Sequence, residues 1–267
     1  MIIINEEDLT SHGGVCCCEY GISGVGKTVT TLISAPDPIL WLTTEQRKFA
    51  LSVAAAKKKR PKLKYSLAIN TDFMSLIDFL DNPDKKLEEV GSKYLYDDFK
   101  TIFFDGLSYF QNVVMPGEIQ KADTDTMDKR TLRSMTRVNL GQTGDSNQAI
   151  FRVMRLLKGY VGDGKVVIVS CLEMERPKYD QEFEAGPALG GKQVPDNFPG
   201  FFDYIGRVMI RYDKNDKKVY PPLISFDEGQ GFLAKYTGIE DKREGPMNWS
   251  KILGSTEGKE KKVEKEG

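Results

Sequence analysis

One segment of the sequence, from Gly21 to Thr28, has the pattern of a loop that binds phosphate groups. It reads GISGVGKT and matches the arrangement G-x-x-x-x-G-K-[ST]. Glycines let the backbone wrap closely around an anion, and N–H groups at a helix start attract negative charge. Lys27 supplies a positive charge for the β- and γ-phosphates, and the Thr28 hydroxyl can coordinate Mg²⁺. The residues predicted to bind the nucleotide are Gly21, Ser23, Gly24, Val25, Gly26, Lys27 and Thr28.

Short apolar runs alternate with amphipathic stretches, which is typical of a mainly parallel sheet with crossover helices. The predicted strands are residues 15–20, 39–44, 101–104, 166–169 and 208–210, with a further extended piece at 223–226. The predicted helices cover 28–34, 73–80 and 146–161. We therefore predict an α/β fold with a central sheet flanked by helices and a C-terminal antiparallel extension. It forms one domain over residues 1–253, followed by a charged, disordered tail over 254–267.

Composition narrows the class of protein only modestly. The 267 residues carry a net charge of −1, so the totals do not indicate a strongly basic nucleic-acid binder. Three of the four cysteines are consecutive, at 16–18, which is not a zinc-ligand spacing and indicates small buried side chains in a reducing compartment. No apolar run approaches the roughly 20 residues of a membrane span, so a cytoplasmic location is expected.

Two acidic residues follow predicted strands and are candidates for binding metal and activating water. Asp105 follows Ile102-Phe103-Phe104 and fits a Walker B aspartate that helps to hold Mg²⁺. Glu45 directly follows the strand at 39–44, where a parallel sheet would direct it toward the phosphates to polarise water. The alternatives are a turn aspartate before a glycine and a solvated glutamate at a helix start.

The P-loop and the acidic residues after the predicted strands, in their order along the chain, resemble the RecA-like ATPase core. More narrowly, they resemble the small phage-encoded AAA-type, RecA-like ATPases linked to recombination and single-strand annealing. The order is P-loop, acidic residue after the second strand, aspartate after the third, and polar position after the fourth. The segments that carry the resemblance are 19–28, 39–45, 101–108, 166–171 and 232–238, within residues 15–253.

The resemblance implies ATP and Mg²⁺ as cofactors, ATP hydrolysis, and a homo-oligomeric ring or filament with ATP sites at subunit boundaries. The family usually places a Lys-x-Arg pair near the end of the core, and here the sequence reads Lys235-Tyr236-Thr237. The predicted catalytic residues are therefore Lys27, Glu45 and Lys235, the last acting on a neighbour's phosphate. Where such proteins often carry His or Gln to sense the γ-phosphate, this chain has Ser170-Cys171, and Cys is a weaker hydrogen-bonding group.

The resemblance also implies contact with single-stranded DNA through loops, in the host cytoplasm if the protein is phage-encoded. Two irregular segments, residues 115–147 and 172–200, stand where such loops are expected. Cations there could follow a phosphate backbone, and aromatic side chains could stack on bases. The candidates are Lys129, Arg130, Arg133, Arg137, Lys178, Lys192, Tyr179, Phe198, Phe201 and Phe202.

Two other classes of protein remain open from the residues. A small-molecule or nucleotide kinase also begins with a P-loop, and the arginines between 130 and 137 could belong to a phosphate-gripping lid. The other is a non-catalytic binding protein in which ATP stabilises an assembly.

Overall fold

A mostly parallel sheet forms the centre of the protein. In this computed structural model, the described residues are 13–45, 49–115, 140–175, 185–190, 197–227, 231–237 and 243–257. Along the sheet the strands run β10-β8-β7-β1-β5-β4-β2-β3, with β6 paired to β5 and β9 to β7. Neighbours from β7 to β3 are parallel, and the pairs involving β6, β8, β9 and β10 are antiparallel.

The strands and helices have the following bounds. The strands are β1 Val15–Gly21, β2 Ile39–Thr43, β3 Tyr65–Ile69, β4 Thr101–Asp105, β5 Val166–Glu175, β6 Ala185–Pro187, β7 Tyr204–Tyr212, β8 Lys218–Ser225, β9 Lys235–Tyr236 and β10 Glu244–Pro246. The helices are α1 Lys27–Ser34, α2 Phe49–Lys59, α3 Phe73–Asp81, α4 Pro83–Glu89, α5 Leu107–Tyr109, α6 Leu140–Gly162 and α7 Trp249–Glu257. A π-helical turn, Phe110–Val114, continues α5, and short 3₁₀ turns occur at Tyr96–Asp98 and Phe198–Phe201.

Hydrophobic cores cover both faces of the sheet, as expected for buried parallel strands. One core contains α3 and α6, and the other contains α1, α2 and α7. Alternate residues of β1 enter opposite cores: Cys16 and Cys18 face the first and Cys17 faces the second. All four cysteines are free and buried, which confirms the prediction that the three at 16–18 are small buried side chains.

The predicted fold class is confirmed, but several of its elements were not predicted, among them α2. The predicted strands at 15–20, 39–44 and 101–104 match β1, β2 and β4 within one residue. The edge strand β3 was not predicted either, so Asp105 ends the fourth strand in chain order and not the third. The long helix α6 begins at Leu140, before the predicted start at 146, and α7 runs past residue 253 to Glu257.

The strand order has a direct consequence for the location of the P-loop. Since β1, β5, β4 and β2 are parallel neighbours, their carboxyl ends meet at one edge of the sheet. The segment after β1 carries the phosphate-binding pattern, and the two predicted acidic residues follow or end β2 and β4. Ligands in open α/β sheets bind outside the carboxyl ends of the strands, so this edge is where a site is expected.

Candidate functional site

The P-loop joins β1 to α1 and is stabilised by its own lysine. Gly26 precedes the helix with φ of 104°, a left-handed conformation that favours glycine. The Lys27 ammonium donates to the carbonyls of Gly21 at 2.8 Å and Ile22 at 3.1 Å. Only 8% of Lys27 is exposed, so its ammonium group is held close to the N-terminus of α1. This combination of a cation and a helix start favours a phosphate chain.

Asp105 lies opposite the helix start, within hydrogen-bonding distance of the P-loop. The Thr28 hydroxyl donates to Asp105 Oδ2 at 2.9 Å. The Thr43 hydroxyl donates to the Asp105 carbonyl at 2.9 Å, which fixes the end of β4 against β2. Asp105 is only 3% exposed.

The oxygen atoms of Thr28 and Asp105 fit a magnesium site. Mg²⁺ is usually held by one or two carboxylates together with substrate phosphates and water, not by a dedicated protein cage. In agreement, the described residues contain no cluster of three or more His, Cys, Asp or Glu side chains that could hold a metal alone. Thr28 and Asp105 would hold Mg²⁺ only together with a phosphate-bearing ligand.

Glu45 lies beside Asp105, two residues after the end of β2. Its backbone N–H donates to Thr43 Oγ1 at 3.2 Å. A Cβ added to Gly106 would lie 2.6 Å from Glu45 Oε1, so the carboxylate packs directly on the backbone of Gly106. Gly106 has φ of 102° and no side chain, and both features let the Glu45 carboxylate approach the strand end.

These residues line one cleft of about 240 Å³ at the carboxyl edge of the sheet. The cleft also includes Ser52 from α2, Tyr109 after β4, Leu172 from β5 and Tyr220 from β8. The complete lining is Ser23, Gly24, Gly26, Lys27, Thr28, Val29, Glu45, Ser52, Asp105, Gly106, Tyr109, Ser170, Cys171, Leu172 and Tyr220. The structure thus brings Lys27, Thr28, Glu45 and Asp105 together.

A row of buried polar residues crosses the sheet behind the P-loop. Glu19 pairs with Ser170, Ser170 with Asp105, and Asp105 with Thr43. Residues paired across parallel strands project to the same face, so the four side chains share the face that carries Thr28. All four are buried. At the predicted γ-phosphate-sensing position, Ser170 belongs to this row, whereas Cys171 lines the cleft and belongs to the core that contains Cys18.

Glu19 connects the strand before the P-loop to the helices that pack on it. Its Oε2 accepts from the Thr31 hydroxyl at 2.7 Å and from Trp249 Nε1 at 3.0 Å. Its Oε1 has no hydrogen-bond partner among the described side and main chains. Burial raises the pKa of Glu19 to about 7, against the lowering effects of Thr31, Trp249 and Lys27. The sequence signal for this role of Glu19 is a charged residue inside an apolar strand.

The Glu19 carboxyl should make stability depend on pH. A carboxyl whose folded pKa is raised stays protonated in the folded chain while the unfolded chain ionises, so stability falls as pH rises from about 4.5 to about 7. We expect the free energy of unfolding of the wild type, relative to Glu19→Gln, to fall by about 3 kcal/mol between pH 5 and pH 8. Urea denaturation of both proteins at the two pH values measures this, and a difference independent of pH would contradict it.

Four of the predicted functional residues are not in the lining described for the cleft: Lys235, Phe198, Phe201 and Phe202. The Lys235 ammonium donates to the carbonyls of Pro199 at 3.3 Å and Phe202 at 2.6 Å, at the amino end of β7 and away from the cleft. Phe198 and Phe202 are buried, so the prediction that they stack on DNA bases is wrong. Phe201 is half-buried and packs on Phe151, with ring centroids 6.1 Å apart.

The remaining DNA-contact candidates cannot be compared with the structure. Lys129, Arg130, Arg133, Arg137, Lys178, Tyr179 and Lys192 lie outside the described residues.

The strand order and the site together define the class of protein. The order β7-β1-β5-β4-β2, with a P-loop after β1 and acidic residues at the ends of β2 and β4, is a RecA-like P-loop ATPase fold. The sequence model of the AAA domain family matches residues 14–237, and the chain belongs to this family. No protein with a curated functional description matches the sequence significantly. Among the described residues, no helix is long and apolar enough to cross a membrane.

Several solved structures resemble the fold at low sequence identity. A KaiC-like protein from Pyrococcus horikoshii OT3 is 12% identical, with a TM-score of 0.36 over 79% of this chain and 77% of that protein. A DnaB-like replicative helicase is 11% identical, with a TM-score of 0.41 over 83% of this chain and 52% of that one. The ATPase DotB from Legionella pneumophila is 9% identical, with a TM-score of 0.31 over 85% and 50%. The chain therefore spans about half the length of the last two.

Proposed function

We propose that this protein binds Mg-ATP in the cleft and hydrolyses it. The observation that carries the proposal is the 2.9 Å hydrogen bond between the Thr28 hydroxyl and the Asp105 carboxylate. These residues are far apart in the sequence, and a chance P-loop pattern would not be expected to face a buried carboxylate at a strand end. Membership of the AAA domain family supports the same function.

Each residue of the cleft has a distinct part in the proposed reaction. Lys27 and the N–H groups of the P-loop bind the β- and γ-phosphates. Thr28 and Asp105 hold Mg²⁺, which neutralises phosphate charge when it is bound. The Lys27 ammonium is held by two loop carbonyls, so its charge points into the phosphate-binding loop.

Glu45 is the proposed group that orients and deprotonates the attacking water. Its carboxylate packs on Gly106, next to the metal-binding Asp105, and lines the same cleft as Lys27. β4 and β2 lie on the same side of β1, so Asp105 and Glu45 share one end of the cleft. We assign the γ-phosphate and the metal to that end. A carboxylate at that end is suited to general-base catalysis.

The proposed biological role is action on single-stranded DNA during phage recombination or repair, as a homo-oligomeric ring or filament in the host cytoplasm. The support is the resemblance of the motif order to the phage RecA-like ATPases. Action of Lys235 on a neighbour's phosphate is part of this proposal. It requires the ammonium to exchange the carbonyls of Pro199 and Phe202 for that phosphate.

Phosphate release measured with and without single-stranded DNA tests this role. We expect turnover of Mg-ATP to rise several-fold with an unstructured oligonucleotide and to be unaffected by nucleosides or nucleoside monophosphates. Rising salt should remove the stimulation first, because phosphate contacts are screened. Lys27→Ala is the control for contaminating ATPases.

Other outcomes of this assay would support the other classes of protein. Phosphoryl transfer to a nucleoside or monophosphate would indicate a kinase. ATP-dependent oligomers in light scattering, without any hydrolysis, would indicate a non-catalytic assembly protein. Turnover that ignores single-stranded DNA would contradict the recombination role while leaving the ATPase proposal intact.

A further inference from the structure

An aromatic residue on the hairpin of β7 and β8 lies directly against the P-loop. A Cβ added to Gly26 would lie 2.8 Å from Tyr220 Cε1 and 3.2 Å from the Tyr220 hydroxyl oxygen. The outer end of the Tyr220 ring therefore contacts the last glycine before α1. Nevertheless Tyr220 is 59% exposed, among the largest exposed fractions of the described apolar and aromatic side chains. Packing of the core does not explain why a large ring occupies this position.

An irregularity in the sheet places Tyr220 there. Arg211 of β7 pairs with Val219, and Met209 pairs with Leu223. One residue of β7 between these pairs therefore faces three residues of β8, beginning with Tyr220. Bulges of this kind re-aim side chains and are common beside functional sites. Here the bulge coincides with the point where β8 passes the P-loop.

The position of Tyr220 matches the end of the cleft where a nucleoside must lie. Asp105 and Glu45 follow strands on one side of β1, and β7 and β8 lie on the other side. If the γ-phosphate meets the metal between Thr28 and Asp105, the rest of the nucleotide must leave the loop away from β4. Tyr220 lines the cleft on that side, together with Val29 of α1.

We propose that Tyr220 is the platform on which the nucleotide base stacks. This inference rests on the proposed nucleotide binding and adds the base subsite to it. An exposed aromatic ring beside the phosphate loop offers a flat apolar surface, and stacking tolerates any base because every base has a π-face. The subsite therefore takes nucleoside triphosphates with little preference among the bases, adenine and guanine included.

Titration calorimetry with Mg-ATP, Mg-GTP and inorganic triphosphate separates base binding from phosphate binding. We expect the wild type to bind ATP and GTP more tightly than inorganic triphosphate. Tyr220→Ala should weaken ATP and GTP by about tenfold each and leave inorganic triphosphate unchanged. Tyr220→Phe should bind like the wild type, because the ring is retained. Tyr212→Ala is the matched control: it removes a 56% exposed tyrosine of the same hairpin that is not in the lining described for the cleft.

Several results would overturn the base platform. Equal binding of ATP and inorganic triphosphate by the wild type would show that the base contributes nothing, while nucleotide binding itself would stand. Equal weakening of both ligands in Tyr220→Ala would mean that the ring only shapes the P-loop. Unchanged ATP binding with weakened binding of a single-stranded oligonucleotide would assign the ring to DNA. If the wild type binds neither ATP nor inorganic triphosphate, the proposed function fails together with this inference.

Discussion

Lys27→Ala should weaken ATP binding by about 100-fold, since charge-assisted hydrogen bonds contribute roughly 1.5–3 kcal/mol each. The Lys27 ammonium is the cation of the P-loop and has two carbonyl partners there. In the substituted protein the phosphates would lose this cation and keep the neutral N–H groups of the loop. Hydrolysis should fall to background because the γ-phosphate is no longer held. Titration calorimetry with Mg-ATP measures the affinity, and thermal unfolding checks that the fold persists.

A matched control removes a lysine from the exposed end of α2, outside the lining described for the cleft. Lys58→Ala should leave ATP affinity within a factor of about two, because an exposed charge at that position is screened. Equal affinity of Lys27→Ala and the wild type for Mg-ATP would contradict the assignment of this loop as the phosphate site.

Glu45→Gln should separate binding from hydrolysis. Loss of a positioned general base lowers turnover by about 100-fold or more, and ATP affinity should change little because the amide keeps the shape of the side chain. The Glu45 N–H bond to Thr43 is made by the backbone, so it should survive the substitution. Single-turnover phosphate release measures the chemical step directly.

The result that would reject Glu45 is hydrolysis that continues unchanged in Glu45→Gln. A parallel loss of ATP binding and hydrolysis would assign the residue to ligand binding and not to water activation. The comparison with Lys27→Ala is informative, because that variant should lose both properties together.

Much of the site follows from local sequence patterns. The P-loop is contiguous, so its glycines, Lys27 and Thr28 can be assigned without knowing the fold. Asp105 and Glu45 could be predicted because each ends or follows an apolar run, and parallel strands bring such ends to one edge. Their shared cleft agrees with that reasoning, and their chemical roles remain proposals.

Other features depend on contacts between distant segments, which local patterns do not encode. The edge strand β3 is only partly buried and lacks a run of strongly apolar residues, so its sequence gave no clear strand signal. One of the two hydrogen-bond partners of Glu19 is Trp249, which lies near the other end of the chain. The contact of Tyr220 with Gly26 arises from a bulge in the pairing of β7 and β8.

The same limitation explains the errors in the predicted DNA contacts. Phe198 and Phe202 lie in a Pro- and Gly-rich stretch, which suggested an exposed loop. Their rings pack on each other with centroids 4.6 Å apart, inside the core that also contains α6. Burial of aromatic rings is strongly favourable, and the 3₁₀ turn over Phe198–Phe201 is compatible with it.

The most direct test of the central claim is release of inorganic phosphate from ATP by the purified protein, with Mg²⁺ or with excess EDTA, beside Lys27→Ala. We expect turnover by the wild type that requires Mg²⁺ and is absent from Lys27→Ala, because Lys27, Thr28 and Asp105 act on one bound Mg-ATP. Phosphate release by the wild type that does not exceed release by Lys27→Ala, or that persists in EDTA, would contradict an ATPase site in this cleft.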